Sequence, residues 1–405
     1  MICKPTFNIK HIELILKLVS RCNINCSYCY YFYGADTNWQ KRPKRISNTT
    51  INSTIKLLKK SIYEQGITSI QVDFHGGEPL LYGKESFSQL CNLFLGELSD
   101  IVNLSFAIQT NGILIDADWI ALFHQYQVSV SVSLDGPPHI NDEKRVDHKG
   151  RGTYERVVTG IGLLQQATSQ GKIPQISNLA VINPHASGKQ VYRHFVDRLN
   201  IRHMDFLLPG FDYDTYQAED ILLYGDFLID ILNEWINDND PTIKIRLFGA
   251  FIAKLYGEST FMFPSNQFES KKAIALTIDS DGMMYGDDSL RSNQAWNHYK
   301  ALSVCEYGFN DFLAQEYHWH QKNIKTPDAC KHCMWMTVCG GGHLENRYSS
   351  KNGYYNPSIY CESLQRMYHQ LLSFLIDHGV TLPHLDSHPQ KLSNLSIPTT
   401  VGIHM

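Results

Sequence analysis

The stretch "RCNINCSYCY", residues 21–30, places three cysteines close together in the chain. Cys22, Cys26 and Cys29 have the spacing CxxxCxxC, and no fourth cysteine lies nearby in the sequence. A structural zinc site uses four protein ligands, so three thiolates serve it poorly. A cubane iron–sulfur cluster held by three thiolates keeps one iron open for a small molecule. The spacing therefore favours a cluster with an open iron over zinc or over three incidental cysteines.

The composition is that of a soluble globular protein. Of the 405 residues, 43% are hydrophobic and 19% are charged, which excludes a disordered chain. The net charge of -4 provides no overall basic surface for nucleic acid or acidic membranes. Charged or polar residues, including Lys10, Glu13 and Lys17, interrupt the N-terminal apolar stretch, so it does not resemble a signal peptide. We predict a cytoplasmic protein with no nucleic-acid or membrane partner, whose ten cysteines are thiols or metal ligands.

Strand patterns alternate with helical patterns over the first half of the chain. The strand patterns are "IELILKLVS", "SIQVDFHGG", "LSFAIQTNG", "VSVSLDG", "QISNLAVIN" and "HMDFLLPG". Helical periods lie between them, at 51–65, 84–98, 116–126 and 153–170. This alternation predicts an α/β fold, a partial (β/α)6 TIM-like barrel with parallel strands. The cysteine loop follows the first strand, so it belongs to the C-terminal mouth where barrels gather functional groups.

The cysteine motif and a second motif together resemble the signature of radical S-adenosylmethionine (SAM) enzymes. Tyr28 precedes the last cysteine of the motif, and "HGGEP" (75–79) follows the second predicted strand. The resemblance implies that Cys22, Cys26 and Cys29 hold a [4Fe-4S] cluster whose open iron binds the methionine part of SAM. One electron then cleaves the sulfonium and yields a 5′-deoxyadenosyl radical. The resemblance also implies an electron donor such as flavodoxin or ferredoxin.

The same resemblance suggests SAM contacts at other strand ends. Gly76 and Gly77 would let the backbone approach the ligand, and Glu78 is similar to a carboxylate that accepts the methionine ammonium. Ser133 and Arg145 resemble the pair that contacts the methionine carboxylate, a group that a guanidinium fork matches well. An ordinary turn at the glycines and a solvated surface arginine are the alternatives.

Four further cysteines lie near the C-terminus, at Cys330, Cys333, Cys339 and Cys361. In isolation, CxxC spacing is typical of structural zinc. Beside a radical SAM barrel, the pattern resembles the SPASM extension, which implies that these four cysteines bind an auxiliary [4Fe-4S] cluster. His343 stands where that motif has another cysteine, either as an iron ligand or as a hydrogen-bonding loop histidine.

A second auxiliary site of the SPASM motif lacks its cysteines here. The turn "IDSDGMMYGDD" (278–288) is not flanked by the two cysteines that the motif normally places around it, and Cys305 alone cannot replace them. We therefore expect two clusters in total. Asp288 resembles the aspartate that takes a proton from the substrate in sulfatase maturases. A catalytic role requires burial and a raised pKa; the alternative is that Asp287 and Asp288 form a solvated capping pair.

Softer motifs indicate the type of chemistry. "CGGGHLENRYSSKNGYYNPSIYC" (339–361), "DFLLPG" (205–210) and "IRLFG" (245–249) resemble radical maturases of ribosomally made peptides that form three-residue cyclophanes. The implied partner is a precursor peptide with its leader, and the implied product is a cross-link between an aromatic ring and a nearby β-carbon. The alternatives are a sulfatase-type formylglycine maturase, another radical modification such as a thioether or epimerisation, and a non-catalytic iron–sulfur or zinc adaptor.

The motifs also suggest a domain organisation. We expect a radical SAM barrel at residues 10–236, a helical bridge at 237–265 and a SPASM-like region at 266–375. Residues 376–405, which contain Pro and Ser, are expected to form a surface tail.

Overall fold

The structure, a computed structural model, describes residues 7–258, 260, 262, 268 and 271–380. The chain divides into two compact units. The first comprises Met1–Leu134, Pro138–Asn178 and Gln267–Ile324, and the second comprises Asp135–Pro137, Leu179–Asn266 and Lys325–Met405. Part of the predicted bridge and all of the predicted tail beyond residue 380 lie outside the described residues.

Strands and helices alternate along the chain. The strands are β1 His11–Val19, β2 Ile24–Cys26, β3 Ser69–Gly76, β4 Asn103–Thr110, β5 Ser129–Ser133, β6 Arg145–Asp147, β7 Ser177–Val181, β8 His203–Leu207, β9 Lys244–Ile245, β10 Ala273–Ile278, β11 Met283–Tyr285 and β12 Leu302–Ser303. The helices are α1 Tyr30–Tyr33, α2 Asn48–Gln65, α3 Lys84–Leu98, α4 Ala117–Gln125, α5 Pro138–Lys144, α6 Tyr154–Ser169, α7 Gly188–Arg193, α8 Ile221–Asp238, α9 Arg246–Leu255, α10 Phe309–Asn323, α11 Met336–Cys339 and α12 Cys361–Asp377. Within the part of the chain that the structure describes, no helix is both long and apolar enough to cross a bilayer.

A mixed sheet forms the centre of the first unit. Its strand order is β12-β11-β10-β1-β3-β4-β5. The pairs β10–β1, β1–β3, β3–β4 and β4–β5 are parallel, whereas β11 and β12 pair antiparallel at the edge. The carboxyl ends of β1, β3, β4 and β5 therefore share one edge, where functional groups of parallel sheets collect.

Local signals explain why the elements begin and end where they do. In β1, alternate residues are buried and the strand's last four positions are all buried, as expected for a strand covered on both faces. Helix α2 begins after Ser47, whose side chain accepts a hydrogen bond from the Thr50 backbone N–H. It ends at Gly66, which has the left-handed conformation (φ 65°) that favours glycine. Its buried face then packs into the core of the first unit.

The second unit contains β8, β9, α7, α8, α9, α11 and α12, and β7 crosses the boundary between the units. Strand β8 pairs in parallel with β9. Helices α8 and α12 pack closely: Gly225 of α8 lies against Ser363 of α12, and a Cβ at position 225 would come within 2.9 Å of the Ser363 Cα. Phe251 stacks on Tyr368 with their ring centroids 4.5 Å apart. Tyr368 also lines the cavity that contains the C-terminal cysteines.

The predicted α/β class and all six predicted barrel strands are confirmed. Strands β9–β12 and the short strands β2 and β6 were not predicted. The expected boundaries at 236, 265 and 375 stay a prediction. Contacts within the structure instead group Gln267–Ile324 with the first unit, because β10 extends the sheet beside β1.

Candidate active site and cysteine clusters

The first cysteine loop is held by a two-stranded antiparallel sheet. Strand β2 pairs with β6 so that Cys26 lies opposite Arg145. Helix α1 begins directly after Cys29, whose carbonyl oxygen accepts a hydrogen bond from the Tyr33 N–H at 2.8 Å. Charges on Cys26 and Cys29 raise the pKa of Cys22, so the three predicted ligands are electrostatic neighbours. The structure brings the three cysteines of the motif together.

Glycine is required at positions 76 and 77 because any side chain there would collide with neighbouring backbone atoms. Gly76 has φ 146°, and a Cβ there would collide with the Val19 carbonyl oxygen. A Cβ at Gly77 would collide with the Arg21 carbonyl oxygen. The two glycines thus let the end of β3 approach the segment that leads into Cys22. Their predicted contact with SAM stays a prediction.

Glu78 is buried and connects the ends of two neighbouring strands. Its carboxylate accepts hydrogen bonds from the Leu80 N–H (3.0 Å), the Thr110 hydroxyl (2.7 Å) and the Asn111 N–H (2.8 Å). Burial raises the pKa of Glu78 although these donors oppose the shift. A carboxylate has about four acceptor positions, so three internal bonds leave about one free, and the predicted contact with the methionine ammonium stays a prediction. The side-chain amide of Asn111, a different group from this backbone N–H, lies 3.7 Å from the Cys22 Sγ.

Arg145 and Ser133 have different surroundings. Arg145 is buried and donates to the Tyr28 hydroxyl at 2.8 Å, which connects two predicted SAM-binding residues beside the cysteine loop. The alternative of a solvated surface arginine is therefore wrong. Ser133 ends β5 and accepts a hydrogen bond from the Gln109 amide at 2.7 Å. Contacts of Tyr28, Ser133 and Arg145 with SAM stay predictions.

The chemistry of the first cysteine site fits an iron–sulfur cluster. Burial raises the pKa of the Cys22 thiol to about 12, and the nearby Glu78 charge adds to this shift. Burial also raises the pKa of Cys29, against the opposing effect of Lys17 and Arg145. Thiolates in such a place need a compensating cation, which the irons of a cluster supply. Cys22, Cys26 and Cys29 are the residues that would hold it.

Asp288 is buried in a charged cluster with Lys17 and Tyr30. Its Oδ2 lies 2.6 Å from the Lys17 ammonium, and the Tyr30 hydroxyl donates to the same oxygen at 3.0 Å. Lys17 also donates to the Tyr30 hydroxyl, and its side chain is fully buried on β1. Tyr30 follows Cys29 directly, so this cluster adjoins the first cysteine site. Asp287, by contrast, is exposed and caps a short 3-10 helix through the Ser289 N–H.

The pKa of Asp288 differs from the expectation. Burial opposes ionisation, but the positive charges of Lys17 and Arg291 outweigh it and hold the pKa well below its usual range. Of the two conditions for a catalytic role, burial is met and the raised pKa is not. Asp288 is therefore an anion throughout neutral pH. Such a carboxylate accepts a proton only from a strongly acidic group.

Arg291, next to Asp288, belongs to a buried ion-pair network. Its Nη1 lies 2.8 Å from Asp36 and its Nη2 lies 2.7 Å from Asp279. Arg42 contacts the same two carboxylates at 3.0 Å each. Removing one member of such a network leaves an uncompensated buried charge, which costs roughly 3–5 kcal/mol. The network thus fixes the 3-10 turn that carries Asp288.

His75 adds a neutral imidazole to the same cluster. Its Nδ1 accepts a hydrogen bond from the Gly76 N–H at 2.8 Å and lies 3.4 Å from the Lys17 ammonium. Burial and the Lys17 charge lower the pKa of His75 to about 3. Lys17, Tyr30 and His75 were not predicted as site residues. The sequence feature that could have indicated Lys17 is a lysine inside the apolar strand "IELILKLVS".

The four C-terminal cysteines line one cavity in the second unit. Cys330, Cys333, Cys339 and Cys361 line this cavity together with apolar side chains that include Trp335 and Met336. Burial raises the pKa of Cys339 to about 11. The predicted ligand set is thus assembled in space, and its buried sulfurs also need a compensating cation.

A glycine run explains how the distant Cys361 reaches the other three cysteines. Gly340, Gly341 and Gly342 follow Cys339 and all have positive φ angles. The Gly341 carbonyl accepts from the Ser358 N–H at 2.9 Å, and a Cβ at Gly342 would collide with the Ser358 side chain. The Ser358 carbonyl in turn accepts from the Cys361 N–H. Only glycine permits this close return of the chain.

Among the described residues, no three His, Cys, Asp or Glu side chains converge as the ligands of a single metal ion do. A cubane attaches each thiolate to a different iron, so its ligands need not converge in this way. His343 lies 3.9 Å from Glu345, measured from Nδ1 to the carboxylate. Its role as an iron ligand or a loop histidine stays open.

Anaerobically reconstituted protein is expected to contain about eight irons, two cubanes of four each. The reason is that two separate cysteine sets are assembled, with three and four sulfurs. Iron and zinc analysis by mass spectrometry measures this number. About twelve irons would show that a further site survives with unusual ligands, and about four irons with one zinc would favour a zinc site at the C-terminal cysteines.

Comparisons with known proteins agree with this geometry. Residues 16–184 match the model of the Radical SAM superfamily. The cysteine-type anaerobic sulfatase-maturating enzyme of Clostridium novyi is 25% identical over 388 residues, which cover 93% of this chain and 99% of that protein. The serine-type anaerobic sulfatase-maturating enzyme of Bacteroides thetaiotaomicron is 23% identical over 415 residues, covering 94% and 91%. The structure of "Native anSMEcpe with bound AdoMet and Kp18Cys peptide" superposes with a TM-score of 0.75 at 23% identity, covering 91% and 98%.

These matches define the class of protein. Residues 16–184 match the Radical SAM superfamily, and the chain has the α/β fold of that class with a C-terminal extension. It is homologous to the anaerobic sulfatase-maturating enzymes over nearly its whole length. The predictions of an enzyme and of SAM and [4Fe-4S] cofactors are confirmed, whereas the number of clusters stays a prediction.

Proposed function

We propose that this chain is a maturase that modifies a ribosomally synthesised peptide by removing a hydrogen atom from one of its carbon atoms. When bound at Cys22, Cys26 and Cys29, the cluster and SAM supply the 5′-deoxyadenosyl radical for this step. The observation that carries the proposal is the buried group of Lys17, Tyr30 and Asp288 beside those cysteines. It is suited to receive a proton from a carbon-centred intermediate once that intermediate has lost an electron.

The proposed product is a cyclophane, a bond between an aromatic ring and a nearby β-carbon. Bond formation to the ring leaves one surplus electron and one surplus proton. The auxiliary cluster held by the C-terminal cysteines would provide a place for the electron. The ring that has lost the electron is a very strong acid, so Asp288 can take its proton although the pKa of the carboxylate is lowered. The absence of cysteines for another auxiliary site supports a chemistry different from that of the sulfatase maturases.

Formylglycine formation is the second candidate. It is favoured by similarity to sulfatase-maturating enzymes that extends over more than nine tenths of both chains. That reaction also removes a β-hydrogen, one further electron and one proton, so the cluster around Asp288 would suit it equally. The departures at His343 and around the turn at 278–288 distinguish this chain from the motif of that group. In a cyclophane the oxidised β-carbon is bonded to an aromatic ring, whereas in formylglycine it becomes an aldehyde.

A cyclophane product is expected to be two hydrogens lighter than the peptide, with every side-chain heteroatom retained. Ring and β-carbon each lose one hydrogen when they are joined. Oxidation of Ser to formylglycine also removes two hydrogens, so mass alone does not separate the candidates. High-resolution mass spectrometry combined with hydrazide trapping does, because only formylglycine has an aldehyde.

The matched control for this measurement is a peptide in which every Phe, Tyr, Trp and His of the modified segment is replaced by Leu. A cross-linking enzyme leaves it unmodified, whereas a formylglycine maturase still oxidises its Cys or Ser. A product that traps hydrazide, loses CO₂ or shows only an inverted α-carbon would contradict cross-linking.

A further inference from the structure

Arg347 is a fully buried arginine next to the C-terminal cysteines. Its relative exposure is 0%, and its guanidinium is held entirely by backbone carbonyl oxygens. The acceptors are Asn356 (2.9 Å), Gly340 (3.4 Å), Lys325 (2.9 Å) and Tyr354 (3.0 Å). The guanidinium thereby joins three segments that surround the cysteine cavity, and its position is fixed.

A buried arginine is usually paired with a carboxylate, and Arg347 differs from this rule. In the part of the chain that the structure describes, no carboxylate forms an ion pair with it. The other fully buried arginine, Arg291, has Asp36 and Asp279 within 2.8 Å. A buried guanidinium without an anion is costly, and carbonyl dipoles alone compensate it only in part. The geometry therefore calls for a negative charge that the carboxylates do not provide.

The nearby cysteine sulfurs can supply this negative charge when they bind a cluster. The guanidinium donates to the carbonyl of Gly340, the residue after Cys339, and a Cβ at Gly341 would lie 3.3 Å from its Nη1. Burial lowers the pKa of Arg347, and negative charge on the Cys330 and Cys339 sulfurs would oppose that shift. Four thiolates outweigh the positive charge of a cubane core, so the assembled site is anionic and becomes more so on reduction.

We propose that Arg347 is a positioning residue that holds its positive charge against the auxiliary cluster and thereby raises the reduction potential of that cluster. This inference rests on the proposed binding of a [4Fe-4S] cluster by the four C-terminal cysteines. A fixed cation in a low-dielectric site stabilises the more negative, reduced state more than the oxidised one. The consequence is a cluster that is better able to accept the surplus electron of peptide oxidation.

The test measures the potential of the auxiliary cluster in the full chain. A background with Cys22, Cys26 and Cys29 changed to Ala removes the signal of the first cluster. In that background, redox titration followed by electron paramagnetic resonance gives the midpoint potential. This potential is compared between the protein that keeps Arg347 and the Arg347→Met variant. We expect Arg347→Met to favour the oxidised cluster at least tenfold, which for one electron lowers the midpoint potential by about 59 mV.

Two further variants separate charge from structure. Arg347→Lys keeps the charge but loses most of the carbonyl bonds, and we expect its redox equilibrium to stay within roughly threefold of the parent. Arg366→Met removes an equal charge from the exposed face of α12, where solvent screens it, and leaves the potential unchanged.

Each outcome decides the inference. An unchanged potential in Arg347→Met with full iron content overturns it, as does loss of iron from both Arg347 variants, which would make the residue a scaffold alone. If only Arg347→Met loses iron and Arg347→Lys keeps the parent potential, the site requires the positive charge and the inference is supported. A lowered potential in Arg347→Lys overturns the inference. Absence of iron from the background protein itself would instead show that the auxiliary cluster of the proposed function does not exist.

Discussion

Replacing Cys22, Cys26 and Cys29 together by Ala is expected to abolish 5′-deoxyadenosine formation. The three sulfurs are the ligands that the segment between β1 and α1 brings together. Without the cluster, no electron reaches SAM. Incubation with SAM and dithionite, followed by chromatography of 5′-deoxyadenosine, measures the loss. Iron content is expected to fall by about four per chain.

Cys305 provides the matched control for that experiment. It is an exposed cysteine outside both sets, so Cys305→Ala is expected to keep wild-type iron content and SAM cleavage. Circular dichroism verifies that the triple variant keeps its helices and strands. SAM cleavage that persists in a folded, cluster-free triple variant would refute the assignment of the three cysteines.

Replacing Asp288 by Asn is expected to slow product formation roughly 100- to 10,000-fold while SAM is still cleaved. The change keeps the size of the side chain and removes its ability to accept a proton. The uncoupling arises because the residue acts on the peptide rather than on the cofactor. The measurement is the ratio of modified peptide to 5′-deoxyadenosine over time.

Asp288→Asn also leaves the buried Lys17 ammonium without its ion-pair partner, which by itself destabilises a protein. A double variant, Lys17→Gln with Asp288→Asn, removes both charges and restores neutrality in the cluster. We expect it to fold and to remain slow in product formation. Asp287→Asn, one residue away and exposed, is the control with unchanged activity. A wild-type rate in Asp288→Asn would show that the proton leaves by another route.

The barrel strands and both cysteine sets could be predicted because their signals are local. Apolar alternation specifies a strand within about nine residues, and CxxxCxxC lies within a single loop. Three of the four C-terminal ligands also share one short segment. Cys361 was predictable only through the family pattern, because the turn that returns it depends on positive φ angles at Gly340–Gly342.

The environment of Asp288 could not be predicted, because two of its partners, Lys17 and His75, come from distant parts of the chain. Lys17 lies on β1, His75 on β3 and Arg291 after the turn at 278–288. A carboxylate's pKa depends on which charges surround it after folding, and burial alone indicated the wrong direction. Strands β11 and β12 were missed because they are only three and two residues long, too short for a periodic signal.

The position of Cys361 at the start of α12 affects the order in which the two sites become available during protein synthesis. The ribosome makes Cys22, Cys26 and Cys29 early, and their strand partner Arg145 follows before the middle of the chain. The other set remains one sulfur short until residue 361 has been added at the start of α12, the helix that packs against α8. Cells that supply clusters too slowly would therefore accumulate chains filled at the first set alone. Such chains would start radical chemistry without the second cluster to receive its electron.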